Sequence, residues 1–92
     1  MSLADARREV AAKSDRAIER ETARKWADRA IACYENYRLD VRPKNGVCWL
    51  VRAEDYHHEA LEHAALAKDR GRTLIKIEKQ LDAAAKKAKR KR

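Results

Sequence analysis

This chain has few places where a helix can stop. Its 92 residues hold one proline and two glycines: Pro43, Gly46 and Gly71. Proline lacks an N–H and disfavours helical geometry at the residue before it, so a helix ends near Arg42. Asn45-Gly46 supplies the positive-φ positions of a tight turn. After that, Gly71 inside KDRGRT is the only break signal, and a mid-helix glycine costs only about 1 kcal/mol against alanine. The chain therefore reads as mainly α: two long antiparallel helices, the second kinked or broken at Gly71, joined by a short β-hairpin or an ordered loop.

Residues 2–38 form the first expected helix. Ser2 and Asp5 resemble a capping box. Leu3, Val10, Ala17/Ile18, Trp26/Ala27, Ala30/Ile31, Tyr34 and Tyr37 recur at helical spacing. The stripe is weak between Ala11 and Thr22, where Ser14-Asp15 offers a second start. In residues 39–51 the pattern changes. Leu39 and Val41 alternate before the Asn-Gly turn, and Val47, Trp49 and Val51 alternate after it, as in a β-hairpin.

Residues 52–89 return to helical spacing. Ala53, Ala60, Ala67, Leu74, Leu81 and Ala88 fall at intervals of seven. This heptad-like seam is small in its first half and large in its second. Unbroken, it would run about 57 Å at 1.5 Å per residue, against about 36 Å for residues 15–38. The chain then either bends at Arg70–Arg72 into three helices or projects residues 73–89 toward another molecule. Survival of the period across Gly71 favours a projecting or kinked helix. The core is thin: Phe is absent, aromatics make up 5%, and much of the apolar content is alanine. Trp26, Ile31, Tyr34, Tyr37, Trp49, Leu50, Leu61, Leu74, Ile77 and Leu81 are the expected anchors. A thin core makes self-association or docking on a larger complex plausible.

Charge is distributed unevenly. The segment KKAKRKR, residues 86–92, carries six of the eight net positive charges. Residues 1–51 are net +3 and residues 52–85 net −1. The expected organisation is a helical domain over 1–85 and a basic C-terminal tail over 86–92. Such a tail points to polyanions, nucleic acid first. Lys86, Lys87, Lys89, Arg90, Lys91 and Arg92 are the expected phosphate contacts, with Arg38, Arg42 and Lys44 in second rank. Those three lie among Tyr34, Tyr37 and Trp49, which either stack on unpaired bases or seal the hairpin onto the helices.

Other chemistry is weakly supported. All three histidines, His57, His58 and His63, lie within EDYHHEALEH. A zinc-protease helix needs His-Glu-x-x-His; here Glu62 stands where the second histidine belongs. His58 and His63 are about 500° apart around a helix and share no face. Exposed i,i+4 pairs, His58 with Glu62 and Glu59 with His63, are the simpler expectation. No metal, cofactor or small-molecule substrate is expected. Neither serine lies on an elbow motif, and two glycines cannot build a phosphate-cradling loop. No apolar run is long enough to span a membrane. The N-terminus lacks the apolar segment of a secretory signal. Cys33 and Cys48 lack metal spacing and read as free thiols of an intracellular protein, cytoplasmic or nuclear.

Two functions are therefore expected from different classes. The first is a small non-enzymatic protein that holds the phosphate backbone of DNA or RNA through its basic tail. The alternative is a helical interaction module, self-assembling or acting as adaptor or inhibitor of a larger complex, whose interface is Ala60, Ala67, Leu74, Ile77 and Leu81.

Overall fold

The computed structural model of the chain describes residues 3–43 and 46–90, with side chains described from Arg16 onward. Three helices follow in order: α1 over Leu3–Arg38, α2 over Trp49–Leu66 and α3 over Arg72–Lys89. The expected cap at Ser2 lies outside the described residues. α1 is continuous through the weak stripe of residues 11–22. Alanine, arginine and glutamate dominate that stretch, and their helix propensity carries it.

α1 ends before the proline. Asp40 takes a left-handed conformation at φ 57°. The Val41 N–H reaches back to the Asn36 carbonyl at 3.0 Å, and the Asp40 N–H to that of Tyr37 at 3.2 Å. These two bonds make a Schellman motif, which satisfies the last helical carbonyls. This motif corrects the hairpin expectation. Leu39–Val41 are used in closing the helix, and Trp49 already opens α2. Too little chain remains for paired strands, and the described residues contain none. The connection is an ordered loop pinned by the Trp49 indole, whose Nε1–H donates to the Val41 carbonyl at 2.9 Å. Gly46 does adopt positive φ, 69°. Asn45 and Lys44 lie outside the described residues.

The second helical stretch is broken, so the described residues form three helices rather than two. Lys68, Arg70 and Gly71 take φ of 51°, 61° and 77°. Each non-glycine residue in that region costs roughly 1–2 kcal/mol. Asp69 supports the turn: both carboxylate oxygens accept from the Thr73 N–H at 3.3 Å, and the Thr73 hydroxyl donates to Oδ2. Those bonds satisfy an otherwise orphaned donor in the first turn of α3.

The helices run up, down and up. Glu19 meets His63 and Tyr34 meets His57, so α2 is antiparallel to α1. Arg24 donates to Gln80 Oε1, and the Lys87 charge reaches Glu35, so α3 runs parallel to α1. α1 spans about 54 Å, twice the roughly 27 Å of either partner. The whole chain is flat and elongated, 61 × 28 × 12 Å.

α1 packs most extensively on α2. Their buried residues are largely alanines: Ala23, Ala27 and Ala30 on α1, then Ala53, Ala60 and Ala64 on α2. Methyl-sized side chains allow close approach but bury little area each. α3 supplies the bulk. Ile77 and Leu81 are buried, and Leu81 is the one large side chain wholly enclosed among the described residues. Of the heptad row, Ala53, Ala60, Ala67, Leu81 and Ala88 are buried and Leu74 is half-buried against them. The row continues across the break because α2 and α3 each turn it inward. Among the described residues, no helix is long and apolar enough to cross a membrane.

Candidate nucleic-acid interface

The up-down-up course returns the end of α3 to the end where α1 closes and α2 opens. Lys86, Lys87 and Lys89 occupy the last turn of α3, and Arg90 is its C-cap. The boundary expected between residues 85 and 86 thus falls inside a helix, and Ala88 is buried. Cations here also complement the negative end of the helix dipole. Arg38 stands on the last turn of α1 and Arg42 in the loop that follows. Lys44, Lys91 and Arg92 lie outside the described residues.

These cations differ in availability. Arg38 is engaged by Glu35, Nη2 to Oε1 at 2.5 Å. That hydrogen bond, helped by the charges of Arg38 and Lys87, holds the Glu35 carboxyl below its ordinary range. Arg42, Lys86, Lys87, Lys89 and Arg90 are exposed. Sequence reasoning missed Arg52, whose guanidinium lies 5.8 Å from the centre of the Trp49 ring. Its place in the first turn of α2, three residues after Trp49, was the available signal.

The aromatic residues are mostly structural. Tyr34 is 2% exposed. Tyr37 and Trp49 are half-buried against the core. Trp26 packs on Tyr56 with ring centres 5.3 Å apart and carries Arg29 at 5.1 Å from its ring centre.

Beside the basic end lies a groove of about 700 Å³ between the middle of α2 and the end of α3. Buried Tyr34 and Ala85, with half-buried His57 and Leu61, make its floor. Lys86, Lys89 and Arg90 border it, as do Glu54, His58 and Asp82. It exists because α2 and α3 pack less on one another than either does on α1. Tyr34 Oη and His57 Nδ1 are 2.8 Å apart, and His57 Nε2 lies 4.0 Å from Asp82. Burial pushes the His57 imidazole below its ordinary value, and the Lys89 charge acts the same way against the opposing pull of Asp82. Burial, then Glu54 and Asp82, push the Tyr34 hydroxyl up.

The remaining histidines are paired on α2 and α1. His58 meets Glu62 at 2.9 Å. His63 meets Glu19 at 2.5 Å and Glu59 at 3.8 Å. Among the described residues, no three histidine, cysteine or carboxylate side chains are grouped as metal ligands. Cys33 and Cys48 are both free thiols, the first buried and the second exposed.

The seam residues lie inside the chain's own fold. Ala60, Ala67, Ile77 and Leu81 are buried in the core and Leu74 is half-buried. Comparisons with protein-family models, with curated proteins and with solved structures found no match to this chain.

Proposed function

We propose that the protein is a nucleic-acid-associated module that holds phosphates with the basic end of its helical body. One observation carries this reading: three separate segments, the end of α1, its following loop and the end of α3, bring cations to the same pole. Phosphate contacts position a protein without reading bases, so binding is largely independent of sequence. Arg42, Lys86, Lys87, Lys89 and Arg90 make the main contacts, joined by Lys44, Lys91 and Arg92. Arg38 contributes less, because Glu35 already engages it.

The test is a mobility shift on duplex DNA across a salt series. Substitution is preferable to truncation at residue 85, which would remove the buried Ala88. The triple variant Lys86→Gln, Lys89→Gln, Arg90→Gln should flatten the slope of log K against log salt by roughly 2.7. An unchanged slope in a folded triple variant would sink the reading.

The alternative is an interaction module built on the heptad seam. Its support is weaker, since Ala60, Ala67, Ile77 and Leu81 are already covered by the chain itself. Light scattering across a concentration series tests it; self-assembly through the seam requires mass to rise as the fold opens.

A further inference from the structure

Phosphate binding at the basic end needs only exposed cations. It does not need a groove with an aromatic and aliphatic floor. The groove beside Lys86, Lys89 and Arg90 has one, whose open surface comes from half-buried His57 and Leu61 with Tyr34 and Ala85 enclosed beneath them. It also has two exposed carboxylates, Glu54 and Asp82, among its bordering residues. Carboxylates accept hydrogen bonds and repel phosphate, so Glu54 and Asp82 suit N–H donors. One site thus combines phosphate-binding cations, an apolar floor and acceptors for N–H groups.

We propose that this groove seats an unpaired nucleobase, with Lys86, Lys89 and Arg90 holding the phosphates beside it. The proposal rests on the phosphate-binding reading above and specifies which nucleic acid that site prefers. In a duplex the bases are stacked and paired; in a single strand each base offers a free face and a free edge. The base lies on the floor, where contact with aromatic and apolar groups is tolerant of sequence. Its edge turns to Glu54 and Asp82. Cytosine, adenine and guanine each carry an exocyclic amine with two N–H donors, enough to serve both carboxylates, whereas the free edge of thymine has a single N3–H set between two carbonyl oxygens that the carboxylates repel. The groove therefore favours amine-bearing bases over thymine. His57 fits this role: burial favours its neutral imidazole, which offers the base a ring and not a competing charge.

Fluorescence anisotropy with labelled oligo(dC) and oligo(dT), each about ten nucleotides long, and a duplex matched in phosphates tests this at about 0.1 M salt. Oligo(dC) should bind roughly tenfold tighter than either oligo(dT) or the duplex. Ala85→Leu narrows the groove and should bring oligo(dC) down to the affinity of the duplex. Because Ala85 also touches the core, a second variant is needed. Glu54→Ala with Asp82→Ala alters two exposed side chains and should erase the preference for oligo(dC) over oligo(dT). In the unmodified protein, the His57 ring signals in NMR should move on adding oligo(dC) and stay in place with the duplex. Equal binding of all three nucleic acids, or a double variant that keeps the oligo(dC) preference, overturns the groove proposal. If binding is equal and the Lys86, Lys89, Arg90 triple variant still weakens it, phosphate binding stands alone. If none of the three binds, both readings fall.

Discussion

The Tyr34 hydroxyl and His57 Nδ1 meet at 2.8 Å across the α1–α2 contact, 23 residues apart in sequence. Tyr34 is almost wholly enclosed, so its hydroxyl depends on this partner. Tyr34→Phe keeps the ring and removes the hydroxyl. A net loss of about 1 kcal/mol is expected, read as a lower urea midpoint with an unchanged m-value.

The burial of His57 also makes stability depend on pH. Burial lowers the His57 pKa in the folded state from its ordinary 6.5. The unfolded chain then binds more protons in the window just below 6.5, so stability there falls as pH falls. At neutral pH and above, both states hold a neutral imidazole and the effect vanishes. Melting temperature should drop as pH is lowered from 7 toward 5, about where the ordinary histidine pKa lies. His57→Gln should flatten that part of the profile. An equally steep profile in the variant would sink the assignment to His57.

Core substitutions should respond to size in opposite senses on the two sides of the molecule. Leu81 is 0% exposed and comes from the helix that supplies the bulk. Leu81→Ala should cost about 2–5 kcal/mol, a large share of the stability of a domain this small. Ala60 is equally enclosed but faces a methyl-lined contact. There the enlargement Ala60→Leu is the damaging change, at about 1–3 kcal/mol. Chemical denaturation followed by circular dichroism reads both.

At the α2–α3 turn, Asp69→Ala removes the acceptor for the Thr73 N–H and hydroxyl. The melting temperature should fall, and Asp69→Asn should recover part of the loss. The Asp69 carboxyl is held below its usual 3.8, chiefly by the Thr73 hydroxyl. Its contribution is therefore present above that value and lost as pH falls through the lower folded-state pKa. Nearby, Arg70 sits at φ 61°. Arg70→Gly relieves that conformation and should not lower stability, whereas Arg70→Val should lower it.

Thiol labelling distinguishes the two cysteines. Cys48 is exposed and Cys33 is 6% exposed. Burial also pushes the Cys33 thiol up, with Arg52 pulling less strongly the other way. The thiolate is the reactive form. One thiol should react promptly with an aromatic disulfide reagent in the native protein, and the second only on unfolding.

Composition and periodicity made the helical class legible, because nothing before Pro43 breaks the first helix and the seam repeats every seven residues. They did not reveal how the chain turns. Asp40 and Asp69 do that work through a left-handed helix end and a carboxylate cap, and aspartate is common enough that neither stands out in a sequence. The alternation around Asn45-Gly46 suggested strands, but it arose from a helix end, an ordered loop and a helix start. The seam kept its period through the break, because a periodic row records which residues face inward and not whether the backbone is continuous. The basic residues at 86–92 and at 38–44 were legible separately. The meeting of residues 86–90 with Arg38 and Arg42 at one pole, and the groove beside it, depend on the up-down-up course that only the packing of α3 on α1 decides.

The alanine-lined contact between α1 and α2 has a consequence for alignment. Interlocking large side chains resist sliding, since a shift of one turn drives knobs out of their holes. A contact of methyl groups is smoother, and a displacement of about 5.4 Å would still bring Ala23 to the place of Ala27 and Ala60 to that of Ala64. Polar pairs then act as pins. Glu19 with His63 fixes the last turn of α2 and Tyr34 with His57 its middle. Neither pair survives a one-turn slip, nor does the Trp26–Tyr56 ring contact, so two histidines and one aromatic pair set the helical register of this chain.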